Sequence, residues 1–276
     1  VFSNIYGMNL AKTAVILAGG EGTRLKPYTE GTPKPLVEVA GKPIMYWTLQ
    51  WLKSYGVEHA VLAVADKREH FEKFLQKYDL RLKVDLSENT KEHGTAGAFK
   101  LAIERFVDDE DFLAMNGDEL TNMDLTRMVS KHKLLKPYVT MALVPFQCRF
   151  SVINMRYDDK IMSFDYGPKL PQVPVSIGIY LFNSELRKYL PDSGSIETLV
   201  FTKLAKEERM VGHMLTSGEE WATVNDVKEL KEAEEKMQRE AKEREDRLKA
   251  EADRLKKSEE ERVASARKFE QEQKER

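Results

Sequence analysis

The sequence predicts an α/β protein with a doubly wound, mostly parallel sheet, a small mixed-sheet extension and a long charged C-terminal helix. Three observations carry this. Short apolar runs alternate with helix-patterned segments through the first half. Close β-rich runs separated by turns follow after about Phe146. The last 50 residues contain neither Gly nor Pro, and 32 of them are charged.

Each element has its own signal. "AVILA" (14–18), "AVLAVA" (60–65), "FLAM" (112–115) and "VTMALV" (139–144) are apolar on both faces. Strands of a parallel sheet covered by helices have this pattern. Ile44, Met45, Trp47, Leu49, Trp51 and Leu52 recur at helical spacing, and Gly56 is placed to end that helix. Further helices are expected near 69–78 and 96–106. Strand–helix–strand repetition implies right-handed crossovers. The runs "FSVINM", "KIMSF" and "SIGIYLF", with turns at Asp158-Asp159 and Gly167-Pro168, predict the extension, which would cover one side of a cleft. Helices near 183–190 and 196–207 then return the chain to the sheet.

Residues 1–226 are read as one domain and 227–276 as a single helix of about 75 Å at 1.5 Å per residue. Opposite charges at i and i+4, such as Glu243 with Arg247, support that helix. Ala241, Leu248 and Leu255 lie seven apart, but Arg244 and Glu251 occupy the partner positions. The seam suits either a thin coiled coil, giving a homo-oligomer through this helix, or a lone solvated helix.

Composition removes several function classes. The net charge of −2 gives no electrostatic basis for a nucleic-acid partner. A single cysteine, Cys148, excludes an internal disulfide and fits a reducing compartment. No apolar run approaches the ~18–20 residues of a membrane span, and the segment before Ala14 lacks a signal-peptide pattern. The expectation is a cytoplasmic protein with no membrane span.

The chemistry begins where the first strand ends, in "LAGGEGTRLKPYTEGTPKPL" (17–36). Glycines there let backbone N–H groups approach an anion closely. A dinucleotide fingerprint needs a third glycine where Leu25 stands, and the Gly-Lys-Ser/Thr of a Walker loop is missing. Arg24 and Lys34, the latter flanked by Pro33 and Pro35, instead suggest a clamp on an extended polyphosphate.

The stretch "LAGGEGTRLKPYTEGTPKPLVEVAGKPI" resembles the signature of the sugar-1-phosphate nucleotidyltransferases, the NDP-sugar pyrophosphorylases. "HGTAGAFKLA" (93–102), "LAMNGDEL" (113–120) and "EEWATVNDVKEL" (219–230) are similar to that family's base-contacting turn, strand-end Asn-Gly-Asp and closing Trp segment. The resemblance implies a Rossmann-like nucleotidyltransferase fold with a sugar-binding extension. It implies Mg²⁺-dependent transfer of a nucleotidyl group from an NTP to a sugar 1-phosphate, with pyrophosphate leaving. Leu17, Ala18, Gly19, Gly20, Gly22 and Thr23 would hold the nucleotide, with Gly94 and Thr95 from the second turn. Arg24 and Lys34 would be catalytic. Asp118 and Asn225 would hold Mg²⁺, and Asn116 and Gly178 would face the sugar phosphate. A phosphate nucleophile is already ionised, so His70, His93 and His132 are read as surface or packing residues.

Three places depart from the family's pattern. Tyr166-Gly167-Pro168 stands where Glu-Lys-Pro is usual, leaving Lys169 to supply the sugar-phosphate charge from a shifted position. Glu197 fits either a sugar-hydroxyl ligand or a helix N-terminal acid. Base choice falls on Asn89, beside Glu88; a carboxamide pairs with several bases, whereas Glu88 would favour guanine's donor edge. A catalytically impaired, nucleotide-sugar-binding regulatory subunit on the same fold is the alternative that these departures raise.

Overall fold

The computed structural model describes residues 11–239 apart from Glu21 and Asp66, together with Lys242, Asp246, 249–251 and Arg254. The chain divides into two compact units after Glu229. In the second, residues 230–239 and the described residues beyond them are helical. The rest of the long C-terminal helix expected from the sequence lies outside the described residues.

The first unit opens with Thr13–Leu17 (β1), the small ribbon Glu38–Val39 (β2) and Lys42–Pro43 (β3), and Ile44–Ser54 (α1). His59–Val64 (β4), Arg68–Lys77 (α2), Lys83–Glu88 (β5), Gly94–Phe106 (α3) and Asp111–Asn116 (β6) follow. Glu119–Thr121 (β7), Leu125–Leu135 (α4) and Val139–Gln147 (β8) lead into the hairpin Ser151–Met155 (β9) and Ile161–Tyr166 (β10). Lys169–Asn183 (β11), Thr202–Lys206 (α5), Met210–Met214 (β12) and Trp221–Thr223 (β13) complete it.

Seven strands form the central sheet in the order β12-β8-β11-β6-β1-β4-β5. All neighbours are parallel except β11, which runs antiparallel to both β6 and β8. The run "SIGIYLF", expected in the extension, therefore belongs to the central sheet. The reason is length: β11 spans 15 residues, so its second half pairs with β6 while its first half reaches out beside the end of β8.

Period-2 alternation along the buried strands builds the core on both faces. In β1, Ala14 and Ile16 join Leu49 of α1, Phe71 of α2 and Met128 of α4 on one side. Val15 joins Phe99 of α3, Phe182, Leu186 and Leu204 on the other. Gly56, at φ 84°, takes the left-handed conformation that terminates α1. Asp124 caps α4 by accepting the Thr126 N–H at 2.9 Å. The return segment differs from expectation: 183–190 holds only a 3₁₀ turn, Ser184–Tyr189, and 196–207 a π-turn, Glu197–Phe201, leading into α5. Strand β5 was not foreseen, because its half-polar "KVDLSE" suits a sheet edge and has no continuous apolar run.

A two-stranded ribbon, β7 with β13, matters most for the site. Its pairing of Leu120 with Ala222 brings the segment after β6 against the segment after β13.

Candidate active site

Beyond the C-terminal ends of β1 and β6 lies an open cleft of about 310 Å³. It is lined by Leu17, Gly20, Gly22, Thr23, Arg24, Lys34, Pro35, Thr95, Asn116, Gly117, Asp118 and Asn225. Open α/β sheets place ligands at this edge. Local chemistry shapes the wall. Gly22 sits at φ 62°, and a Cβ there would meet Thr29 Cγ2 at 2.9 Å and Lys34 Cβ at 3.0 Å. Its carbonyl accepts the Thr29 hydroxyl at 2.8 Å and the Leu25 N–H at 2.9 Å. With Leu25 fully buried as an anchor, the short 3₁₀ turn Thr23–Leu25 turns the exposed Arg24 into the cleft. Gly117 permits a second close approach, since a Cβ there would press on the Leu17 carbonyl oxygen, Pro35 and Met45.

Lys34 projects from a turn stiffened by Pro33 and Pro35, and only 9% of it is exposed. Its Nζ donates to Asp118 Oδ2 and, at 2.8 Å, to Asn225 Oδ1. Asn225 is oriented for this, because its Nδ2 donates to Thr223 Oγ1 at 2.9 Å and its backbone N–H to Glu229 Oε2 at 2.9 Å. Two oxygen donors from separate segments thus face one positive charge. One carboxylate and one carboxamide, with room left for phosphate oxygens and water, form a donor set that fits Mg²⁺.

Behind Asp118 sits a residue that sequence reasoning did not single out. Glu119 is buried, and its carboxyl accepts the Trp221 indole N–H at 2.6 Å. Burial pushes its pKa up to about 8, helped by the neighbouring Asp118 charge and opposed by the Trp221 hydrogen bond and Lys34. An acid immediately after Asn-Gly-Asp, in a three-residue strand that reads as a turn, gives no periodic signal of burial. The β7–β13 pairing, with Thr48 of α1 and Gly178 of β11 alongside, encloses it. Gly178, at φ 70°, makes the space: a Cβ there would collide with the Asn116 carboxamide and reach Glu119 Oε1 at 3.1 Å.

The remaining candidates fall at graded distances from the cleft. Ala18 continues the β1 pairing through its N–H to Ala63. Gly19 lies against Ala65, and a Cβ on it would be 3.7 Å from Asn89 Oδ1, so Asn89 adjoins the glycine segment. Glu88 is exposed and ion-paired to Arg68 at 2.6 Å. Gly94, at φ 59°, lets its turn dock on Gly194, and the Ala96 N–H donates to the Gly194 carbonyl at 2.9 Å. The Thr95 hydroxyl accepts the Ile196 N–H at 2.8 Å and donates to Glu197 Oε2 at 3.2 Å, which puts Glu197 one contact behind the cleft wall. Lys169 is elsewhere: it is exposed, opposite Gln147 in the far half of β11, and lines no part of the cleft. Of the histidines, His93 closes a capping box on Thr90, His70 lies 3.1 Å from Glu69, and His132 is buried against Thr140 at 2.7 Å. None of the three lines the cleft.

Comparison with known proteins finds relatives in sequence and in fold. Mannose-1-phosphate guanylyltransferase 1 of Arabidopsis thaliana is 33% identical over 211 residues, which cover 73% of this chain and 58% of that one. D-glycero-alpha-D-manno-heptose 1-phosphate guanylyltransferase of Campylobacter jejuni is 31% identical over 175 residues, 63% of this chain and 76% of that one. The chain thus spans 58% of the length of the Arabidopsis relative. The crystal structure of HddC from Yersinia pseudotuberculosis superposes with a TM-score of 0.65 at 24% identity, over 82% of this chain and 99% of that one, and so shares the fold. The family model for nucleotidyl transferases matches residues 13–240, a range that holds every strand of the sheet and every residue lining the cleft, and the chain belongs to that family.

Proposed function

We propose that the protein transfers a nucleotidyl group from a nucleoside triphosphate to a sugar 1-phosphate and releases pyrophosphate. The convergence of Arg24 and Lys34 with Asp118 and Asn225 on one strand-end cleft carries this reading. The relatives' names share a guanylyl group and a manno-configured sugar, which supports GTP and a manno-configured hexose or heptose 1-phosphate as substrates.

In this reaction a sugar-phosphate oxygen attacks the α-phosphorus in line, and the bond to the departing pyrophosphate breaks. The attacking phosphate is already ionised, so positioning and charge neutralisation supply the rate. Arg24 offers its planar fork to the transferred phosphate and Lys34 a point charge to the leaving pyrophosphate. The glycine segment presents backbone N–H groups to the nucleotide. Asp118 and Asn225 would hold a Mg²⁺ that supplies charge neutralisation and template chemistry.

A second reading, a nucleotide-sugar-binding regulatory subunit with impaired catalysis, is favoured by one observation. Lys169 lies outside the cleft, and Lys34 is the one lysine among the cleft's described lining residues. Incubating the protein with Mg²⁺, each of five NTPs and a panel of sugar 1-phosphates, then measuring pyrophosphate, separates the two. Release with GTP and a manno-configured sugar 1-phosphate is expected. Nucleotide binding without release for any pair would establish the regulatory reading.

A further inference from the structure

Two anionic substrates entering one cleft need more positive charge than its wall carries. Arg24 and Lys34 are the only cations among the described lining residues, and Lys34 already donates to Asp118 and Asn225. Phosphates of two bound molecules repel each other, and the more so where water is partly excluded. A further guanidinium stands at the rim. Arg149 follows directly on the contact in which the Cys148 N–H donates to the Pro168 carbonyl, so the end of β8 fixes where its side chain starts. Its Nη2 donates to Glu229 Oε1 at 2.8 Å, and the other oxygen of that carboxylate accepts the Asn225 N–H at 2.9 Å. One carboxylate therefore holds both Arg149 and the backbone of a residue that lines the cleft.

A second observation sets Arg149 near Arg24. The Asp226 carboxyl is held below its ordinary range by the Glu229 and Lys228 N–H groups first, and by the Arg149 and Arg24 guanidiniums after them. Two guanidiniums from separate segments thus act on one carboxylate, next in sequence to Asn225. The Arg149 side chain is 77% exposed, and an exposed ion pair such as its bond to Glu229 is held weakly. A phosphate offers more charge and two oxygens that match the guanidinium fork. We propose that Arg149 binds the phosphate of the sugar 1-phosphate, turning from Glu229 into the mouth of the cleft when that substrate arrives. This rests on the nucleotidyl-transfer reading given above. The glycine segment after β1 takes the nucleotide, whereas Arg149 enters from β8, three places along the sheet. The charge that Lys169 does not supply comes from the strand facing it, two residues past its partner Gln147.

Titration calorimetry with mannose 1-phosphate tests this. The full chain is first saturated with Mg²⁺ and a GTP analogue bearing a methylene between its α and β phosphorus, so that no turnover intervenes. Arg149→Gln is expected to weaken mannose 1-phosphate binding at least tenfold while leaving binding of the analogue within about twofold. Glu229→Gln keeps an acceptor for the Asn225 N–H and removes the carboxylate that competes for Arg149. It is expected to bind mannose 1-phosphate at least as tightly as the unaltered protein. Absence of binding to the unaltered protein, or equal binding by it and Arg149→Gln, would overturn the proposal. Weakening in both variants alike would also overturn it, because the ion pair would then be a brace for Asn225. Pyrophosphate release by the unaltered protein, measured separately, tests the reaction itself, so failure of one reading is told apart from failure of the other.

Discussion

Lys34 and Asn225, 191 residues apart in sequence, meet at 2.8 Å between Nζ and Oδ1, and Asp118 closes the same contact. A basic group is thus held by the two oxygens proposed above to take a metal. Replacing Lys34 separates its two roles. Lys34→Ala is expected to lower kcat by ~10²–10³, the usual cost of removing one preorganised charge. It is also expected to strengthen Mn²⁺ binding to the free protein, read by electron paramagnetic resonance, because a competing cation has gone. Unchanged Mn²⁺ affinity would show that Lys34 does not compete with a metal there.

Asp118→Ala is expected to abolish Mg²⁺-dependent turnover while leaving the thermal unfolding profile cooperative. Isothermal titration with Mn²⁺ provides the readout independent of activity, and near-normal binding would remove Asp118 from the metal site.

Glu119 predicts a pH dependence of stability. Its ordinary value is 4.5, and in the fold it is pushed up to about 8 by burial first and Asp118 second. Between those values the unfolded chain has lost the proton while the folded one keeps it, so stability falls as pH rises and the fall levels off above about 8. Glu119→Gln keeps an acceptor for the Trp221 N–H and removes the titration. Its melting temperature, measured without metal across this range, is expected to fall less with pH than that of the unaltered protein. Parallel profiles would refute the assignment.

Gly178→Ala places a methyl on the Asn116 carboxamide at a residue with φ 70°. A loss of about 1–3 kcal/mol in stability is expected from the strain. A raised KM for the sugar phosphate, with the KM for nucleotide little changed, would accompany it. Equal rises in both would show a general disturbance of the cleft.

Lys169→Ala is expected to leave the KM for sugar 1-phosphate within about twofold, since the side chain is outside the cleft and exposed surface changes are usually mild. A rise of tenfold or more would mean that the extension moves Lys169 inward when substrate binds.

The parts of the molecule that were legible in sequence are those where one local rule suffices. Buried parallel strands such as β1 and β4 are apolar on both faces, and the glycine segment with Arg24 and Lys34 has both backbone freedom and fixed charge. Asp118 and Asn225 needed a resemblance, because each alone is an ordinary turn residue. Glu119 was invisible for a different reason. Its burial comes from segments far off in sequence, β13 about a hundred residues away among them, and no window of sequence holds them together. The long β11 misled for a related reason: its apolar second half and its proline-containing first half read as separate pieces, though one strand serves two neighbourhoods. The 3₁₀ and π turns near 184–201 carry helical periodicity, yet Pro191 and the glycine at 194, docked on Gly94, break it into short turns.

The way the hairpin is attached has a consequence for how such a protein can diversify. The chain leaves the sheet at Gln147 and rejoins it at Lys169, residues paired with each other, and the Cys148 N–H still donates to the Pro168 carbonyl at 3.0 Å. Everything between hangs from a closed gate. Lengthening, shortening or replacing that segment leaves the register of β8 with β11 intact, and with it the strand ends that form the cleft. One insertion can therefore be edited while the strand ends that line the cleft stay as they are.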